Sequence, residues 1–252
     1  AGTTQPTNID GTAAFRMSFR NSAGASVDRY RTAVMTTPID ANVKAIFPLD
    51  GSGADLVAGN TATGTAPSYV AGMTNFGQAA DFNGSNQVLA APTTTNYDTT
   101  TFTVEAWVRA PAPSANATPT ILSRGTSATN AQFRIWMDTA SGMLNAGVTA
   151  GGTMYATSTS ATPWLDDAWH HVALTVDGSK DIRLYLDGSQ YGTTATYVGT
   201  MDMPAAPLRI GAGCGAGTYF DGMVDDVRFS NTVRSTATTL GYMATGRPHG
   251  TT

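Results

Sequence analysis

The chain has 252 residues, of which 41% are hydrophobic and 13% charged, with a net charge of −4. That much apolar content excludes a wholly disordered chain, and the acidic balance excludes a nucleic-acid binder relying on phosphate contacts. No stretch approaches the roughly 20 consecutive apolar residues of a membrane helix, so membrane insertion is not expected.

Residues 1–40 read differently from the rest. Arg16, Arg20, Arg29 and Arg31 stand against Asp10, Asp28 and Asp40, while Phe15, Met17 and Phe19 alternate with Arg16 and Ser18. Period-two alternation predicts one short strand, or an arm that docks on a neighbouring subunit of a homo-oligomer or larger assembly. Ala1 to Pro6 shows no basic region followed by an apolar one, so no signal peptide is expected there; a mature secreted chain would begin the same way.

From Val43 onward strands follow one another. Val43, Ala45 and Phe47 alternate before a turn at 48–53. Phe102, Val104, Ala106 and Val108 share one face, with Thr103, Glu105, Trp107 and Arg109 on the other. Phe133, Ile135 and Met137 oppose Gln132, Arg134 and Trp136. Val172, Leu174 and Val176 form an inward stripe, Asp177-Gly178 turns the chain, and Ile182, Leu184 and Leu186 run back to a second turn at Asp187-Gly188. Leu208 and Ile210, then Met223, Asp225 and Val227, add short strands. Lysine is nearly absent (Lys44 and Lys180) and no amphipathic helix is visible, so the expected fold is an all-β, two-sheet antiparallel sandwich over residues 41–236, with an N-terminal arm (1–40) and a C-terminal tail (237–252).

Four segments in order carry a family resemblance. Ala80-Asp81-Phe82-Asn83-Gly84-Ser85 is a turn before a strand, and Phe102 to Val108 reads F-T-V-E-A-W-V. Trp169 to Gly178 reads W-H-H-V-A-L-T-V-D-G and is continued by Leu184 to Gly188, and Phe220 to Phe229 reads F-D-G-M-V-D-D-V-R-F. Together they resemble the laminin-G-like, concanavalin A-like (pentraxin-type) jelly-roll domains. The resemblance implies fold more than function, since that fold hosts lectins, adhesion modules, glycosidases and viral surface proteins.

Enzymatic chemistry is hard to assemble. Adjacent His170 and His171 on a strand point to opposite faces and cannot share a metal; one ring is expected in the sandwich beside Trp169 and one in solvent. With His249 in a Gly-rich tail, no catalytic histidine constellation forms. Glycoside hydrolysis needs two carboxylates flanking the scissile bond, yet Glu105 is the sole glutamate, which rules out the Glu-x-Asp-x-x-Glu strand of glucanase relatives. Glu105 is expected to be an outward or inter-strand paired acid. Lone Cys214, in a Gly-Cys-Gly loop, is read as a tolerated small residue. No catalytic residue is assigned and the chain is not expected to be an enzyme.

Two binding sites are expected. The resemblance implies one calcium ion, since Asp55 to Asn60 resembles the family's D-x-x-G-N loop, which in relatives pairs with the closing Asp-Asp, here Asp225-Asp226. Asp55, Asn60 and Asp225 or Asp226 would be ligands, at most one of the last two facing inward; the competing reading has Asp55 capping its own turn. For glycan, the loop aromatics Tyr155, Trp164, Tyr191, Tyr197 and Tyr219 are candidates. The leading functional expectation is a non-enzymatic structural and adhesion protein on a phage or virus particle (capsid decoration, fibre or tail component) that binds host surface glycan. A secreted or cell-surface lectin-like module is the alternative, and a glycosidase stands third.

Overall fold

The computed structural model describes residues 41–234 except 74–75, 112–115, 117, 160–163 and 215–217, together with the backbone of three earlier strands. Those three, β1 (Thr7–Ile9), β2 (Thr12–Arg20) and β3 (Ser26–Val34), form an antiparallel sheet of their own. Its register sets Phe15 opposite Arg31, Met17 opposite Arg29 and Phe19 opposite Val27. The strand read from the alternation at 15–19 is thus the middle of three. The side chains of this segment, and the tail 237–252, lie outside the described residues.

The body continues with β4 (Val43–Phe47), β5 (Ser68–Ala71), β6 (Gln78–Asn83), β7 (Leu89–Ala90) and β8 (Phe102–Arg109). Next come β9 (Thr120–Ser127), β10 (Asn130–Asp138), β11 (Met143–Ala150), β12 (Thr153–Ser158) and β13 (His170–Val176). Last are β14 (Asp181–Leu186), β15 (Ser189–Thr196), β16 (Leu208–Ile210) and β17 (Asp221–Ser230). One sheet runs β12-β11-β10-β9-β16-β7; the larger runs β15-β14-β13-β8-β17-β6-β5, with β4 also on β17. Long β17 pairs with β6 over its first half and with β4 over its second.

The two sheets stack because each presents one apolar stripe. Phe102, Val104, Ala106 and Val108 of β8 and Val172, Leu174 and Val176 of β13 meet Phe133, Ile135 and Met137 of β10 in one core. Phe133 of the smaller sheet has its ring centroid 5.6 Å from that of Phe102 and 6.0 Å from that of Phe229, both of the larger sheet. Each fully buried side chain of this size contributes roughly 1.5–3 kcal/mol.

Two local details depart from simple alternation. The Asp187-Gly188 turn has positive φ at both residues (50° and 77°), as a two-residue hairpin requires, but the first hairpin spans Asp177 to Asp181 with the positive φ on Lys180 (68°) and not on Gly178. In β17 the register against β8 slips between Asp225 (opposite Trp107) and Arg228 (opposite Glu105), with Asp226 at φ 47°. This bulge breaks the expected Met223, Asp225, Val227 stripe: Val224 and Val227 both enter the core.

Candidate functional site

The outer face of the larger sheet carries charged residues, and they are buried. Glu105 (β8), His171 (β13), Asp225, Asp226 and Arg228 (β17) and Arg234 are each at most 9% exposed. His171 Nε2 lies 3.2 Å from Glu105 Oε2, its ring meets Trp107 edge-on at 5.5 Å, and Phe76 meets Trp107 at 5.9 Å. Burial, the largest influence on Glu105, would raise its pKa. The hydrogen bond and charge of His171, with Arg228 and Arg234, outweigh it and hold the carboxyl below its ordinary value. A general acid must keep its proton and reach the glycosidic oxygen. Glu105 does neither; it is the inter-strand paired acid expected from sequence, though buried.

One histidine ring is buried, as expected, but it lies on the outer face of the larger sheet against Trp107 and not in the sandwich beside Trp169. His171, on the face away from the inter-sheet core, is the buried one. His170 sits at the end of the sandwich, with Nδ1 2.7 Å from Asp187 Oδ2 and Nε2 3.0 Å from Asp166 Oδ1. Burial is the largest influence on His170 and lowers its pKa, but the two aspartates' hydrogen bonds and charges outweigh it, so the imidazolium is favoured. A ring donating to carboxylates on both sides ties the loop before β13 to the β14–β15 turn.

The bulge also changes the Asp225-Asp226 pair. Asp225 lies opposite outward Trp107, and Asp226, freed from alternation, bonds outward Arg228 Nη2 at 2.5 Å, so both carboxyls lie on the outer face. Burial first, and the charge of Asp226 second, push the Asp225 carboxyl up to about 8. Asp55 sits elsewhere, along β4. Its Oδ1 accepts from the amides of Ile46 and Val57 and its Oδ2 from that of Ala58, while Asn60 O accepts from Asp55 N. Asp55 therefore caps its own loop. Among the described residues no group of three or more His, Cys, Asp or Glu converges to hold a metal. A calcium ion wants six to eight oxygens around one point. Asp55, Asn60, Asp225 and Asp226 do not fit that requirement.

The aromatic candidates separate by burial. Trp164 (0% exposed, Nε1 donating to Gly142 O) and Tyr197 (3%) are core residues, which removes them as sugar platforms. Tyr155 lies opposite core residue Val148 and packs inward, as does Tyr191. These loop-like aromatics were turned inward because β12 and β15 close the side of the sandwich, with Thr157 Oγ1 donating to Thr193 O at 2.6 Å. Tyr219 alone of the five faces out: it bridges Thr120 on one side and Ala212 on the other, next to core Phe220.

Tyr219 belongs to a cross-strand row on the outer face of the six-stranded sheet. The register aligns Tyr219, Thr120 (β9), Trp136 (β10), Asn145 (β11) and Ser158 (β12). Trp136 is half-buried, with the Arg134 guanidinium 4.9 Å over its ring, and Asn145 Nδ2 donates to Met143 O. Tyr219 and Trp136 stand two strands apart, about 10 Å. A flat ring bordered by hydroxyl and amide groups is what a pyranose needs, since its C–H face stacks while its hydroxyls hydrogen-bond. Trp136 was missed among the candidates because it lies on a strand; its alternation with Ile135 and Met137 was the available signal.

The family model described as the concanavalin A-like lectin/glucanases superfamily (Laminin_G_3) matches residues 82–238. No curated protein matches the chain in sequence. Among solved structures, the binding domain of Paraclostridial Mosquitocidal Protein 1 superposes with a TM-score of 0.61 at 15% identity, over 78% of this chain and 50% of that one. Domain 4 of AbnA, an extracellular arabinanase from Geobacillus stearothermophilus solved with arabinotriose, gives 0.55 at 17%, over 79% and 97%. Trypanosoma rangeli sialidase, solved with the inhibitor DANA, gives 0.61 at 14%, over 93% and 42%. This chain therefore spans half or less of the mosquitocidal and sialidase chains, and at these identities the likeness is one of fold.

Proposed function

We propose, from the premise that this chain belongs to the concanavalin A-like lectin/glucanase superfamily, that it is a non-catalytic glycan-binding module. The observation that carries this reading is Trp136 on the outer face of the six-stranded sheet, with Asn145 and Ser158 on the strands beside it and Tyr219 two strands away beyond buried Thr120. Stacking on Trp136 supplies affinity, and Asn145, with the hydroxyl of Ser158, supplies orientation. The non-catalytic part of the reading is supported by the state of three acids: burial of Glu105 beside Trp107 and His171, with its carboxyl held below its ordinary value, and closure of the Asp225-Asp226 pair to solvent.

The setting we propose is adhesion at the exterior of a larger assembly, a phage or virus particle or, alternatively, an extracellular surface. The separate three-stranded sheet of residues 7–34 supports the assembly part of this reading. So few strands do not make an independent core, so the element gains stability by packing on another surface. The arabinanase domain solved with arabinotriose shows that a sandwich of this fold has been captured with a sugar, and supports the glycan part. A panel of immobilised neutral and acidic glycans tests the reading, with reducing-sugar release measured on the same panel. Binding without release is the expected result; release of reducing sugar, or binding to nothing, overturns it.

A further inference from the structure

Trp136 and Tyr219 are both held in place by the groups around them. The Arg134 guanidinium lies against one face of the indole, its Cζ 4.9 Å from the ring centroid. Its Nε and Nη2 donate to Thr120 Oγ1 at 3.0 and 2.8 Å, and Nη2 also donates to Thr118 O at 3.0 Å. Arg134 and Thr120 are buried whereas the indole is half-buried, so the arginine backs the ring on its protein side and leaves the opposite face to solvent. A ring fixed in this way before any ligand arrives carries less ordering cost into the complex. Tyr219 is bridged to Thr120 on one side and to Ala212 on the other, and Asn116 Nδ2 donates to its carbonyl at 2.8 Å. Its neighbour Phe220 is a core residue, which turns the Tyr219 ring to the outer side.

In the row itself only Thr120 stands between the two rings, and it is fully buried, so no side chain of the row rises between them. The rings are two strand spacings apart, about 10 Å. That distance sets a requirement on the ligand. In an extended β-1,4-linked chain each sugar is turned over relative to the one before, so alternate sugars present the same face to the same side. The two-sugar repeat of such a chain matches the separation of Trp136 and Tyr219. A coiled α-1,4-linked chain offers no such match.

We infer that the row receives an extended β-1,4-linked glycan at least three sugars long, with sugars i and i+2 stacked on Trp136 and Tyr219. The sugar between them lies over Thr120, and a further sugar beyond Trp136 lies over Asn145 and Ser158. This rests on the glycan-binding reading and narrows it to one class of chain. Tyr219 is thereby a specificity-determining residue, which reads length and linkage.

Titration calorimetry of the full chain tests this with cello-, xylo-, manno- and chito-oligosaccharides of one to six sugars. Malto-oligosaccharides of the same lengths are the coiled, α-linked control. At least one β-1,4-linked series is expected to bind, with affinity rising roughly tenfold from disaccharide to trisaccharide, the length that first reaches the second ring. The malto series should show no such step. Tyr219→Ala should remove the step and leave the affinity for the disaccharide unchanged, and Tyr219→Phe, which keeps the ring, should retain it. No step at three sugars, an equal step in the malto series, or a step unmoved by Tyr219→Ala overturns this inference and leaves the glycan-binding reading standing. Failure of every β-1,4-linked series while another glycan of the panel binds does the same. Failure of the whole panel sinks both.

Discussion

Replacing Asp225 with Asn tests the polar face of the larger sheet. The Asp225 carboxyl is fully buried beside Asp226 and is pushed up to about 8, so the native state holds its proton at neutral pH. An unfolded aspartate loses that proton near pH 4. Between those values the native state binds more protons than the unfolded one, so stability falls as pH rises, by up to about 1.4 kcal/mol per pH unit. The full cost by pH 8 is on the order of 5 kcal/mol, an upper bound once the site relaxes or admits water. Asparagine keeps the shape and does not titrate. Urea denaturation of both proteins from pH 5 to 8 should show a gap widening in favour of Asp225→Asn as pH rises, through a change in midpoint at constant slope. A constant gap, or a variant weaker than wild type at pH 8, would refute the reasoning.

Three further outcomes follow from other contacts. His170, held protonated by Asp166 and Asp187, contributes stability that is fully present below its unfolded pKa near 6.5 and is lost as pH rises through its raised native value; the stability gap to His170→Gln should close with rising pH, and a gap independent of pH would contradict this. Because Asp55 is held by three backbone amides and does not converge with Asp225 and Asp226, the melting temperature should be the same in calcium and in chelator, and a calcium-dependent rise lost in Asp55→Ala would restore the ion. Deletion of residues 1–40 should leave a folded body, since the core is drawn from Ala45 to Phe229, whereas unfolding or aggregation of the truncated chain would place those residues in the core.

Much of the sandwich was legible because period-two stripes on β8, β10, β13 and β14 have one apolar face each, and such stripes bury in only one way. The bulge at Asp225 to Arg228 was not. An aspartate takes positive φ at modest cost, and nothing in D-D-V-R marks where a register slips. The same slip is why two carboxyls expected on opposite faces lie together. Trp164 and Tyr197 read as loop aromatics, yet a loop that crosses the end of a sandwich can drive a large ring into the core, and sequence carries no sign of that. Trp136 was legible from alternation with Ile135 and Met137, but an aromatic on a strand is more often core than platform. What the sequence did not hold was the pairing partner, Asn145 on β11, that makes it a site.

The central claim is that the Trp136 row binds glycan. Calorimetric titration of wild type and Trp136→Ala with the strongest ligand from the glycan panel tests it most directly. Loss of the stacked ring should weaken binding roughly ten- to a hundredfold, about 1.4–2.7 kcal/mol, while the cooperative unfolding transition is retained, because Trp136 lies outside the inter-sheet core. Equal affinity for the two proteins would contradict the account and place the glycan elsewhere on the sandwich.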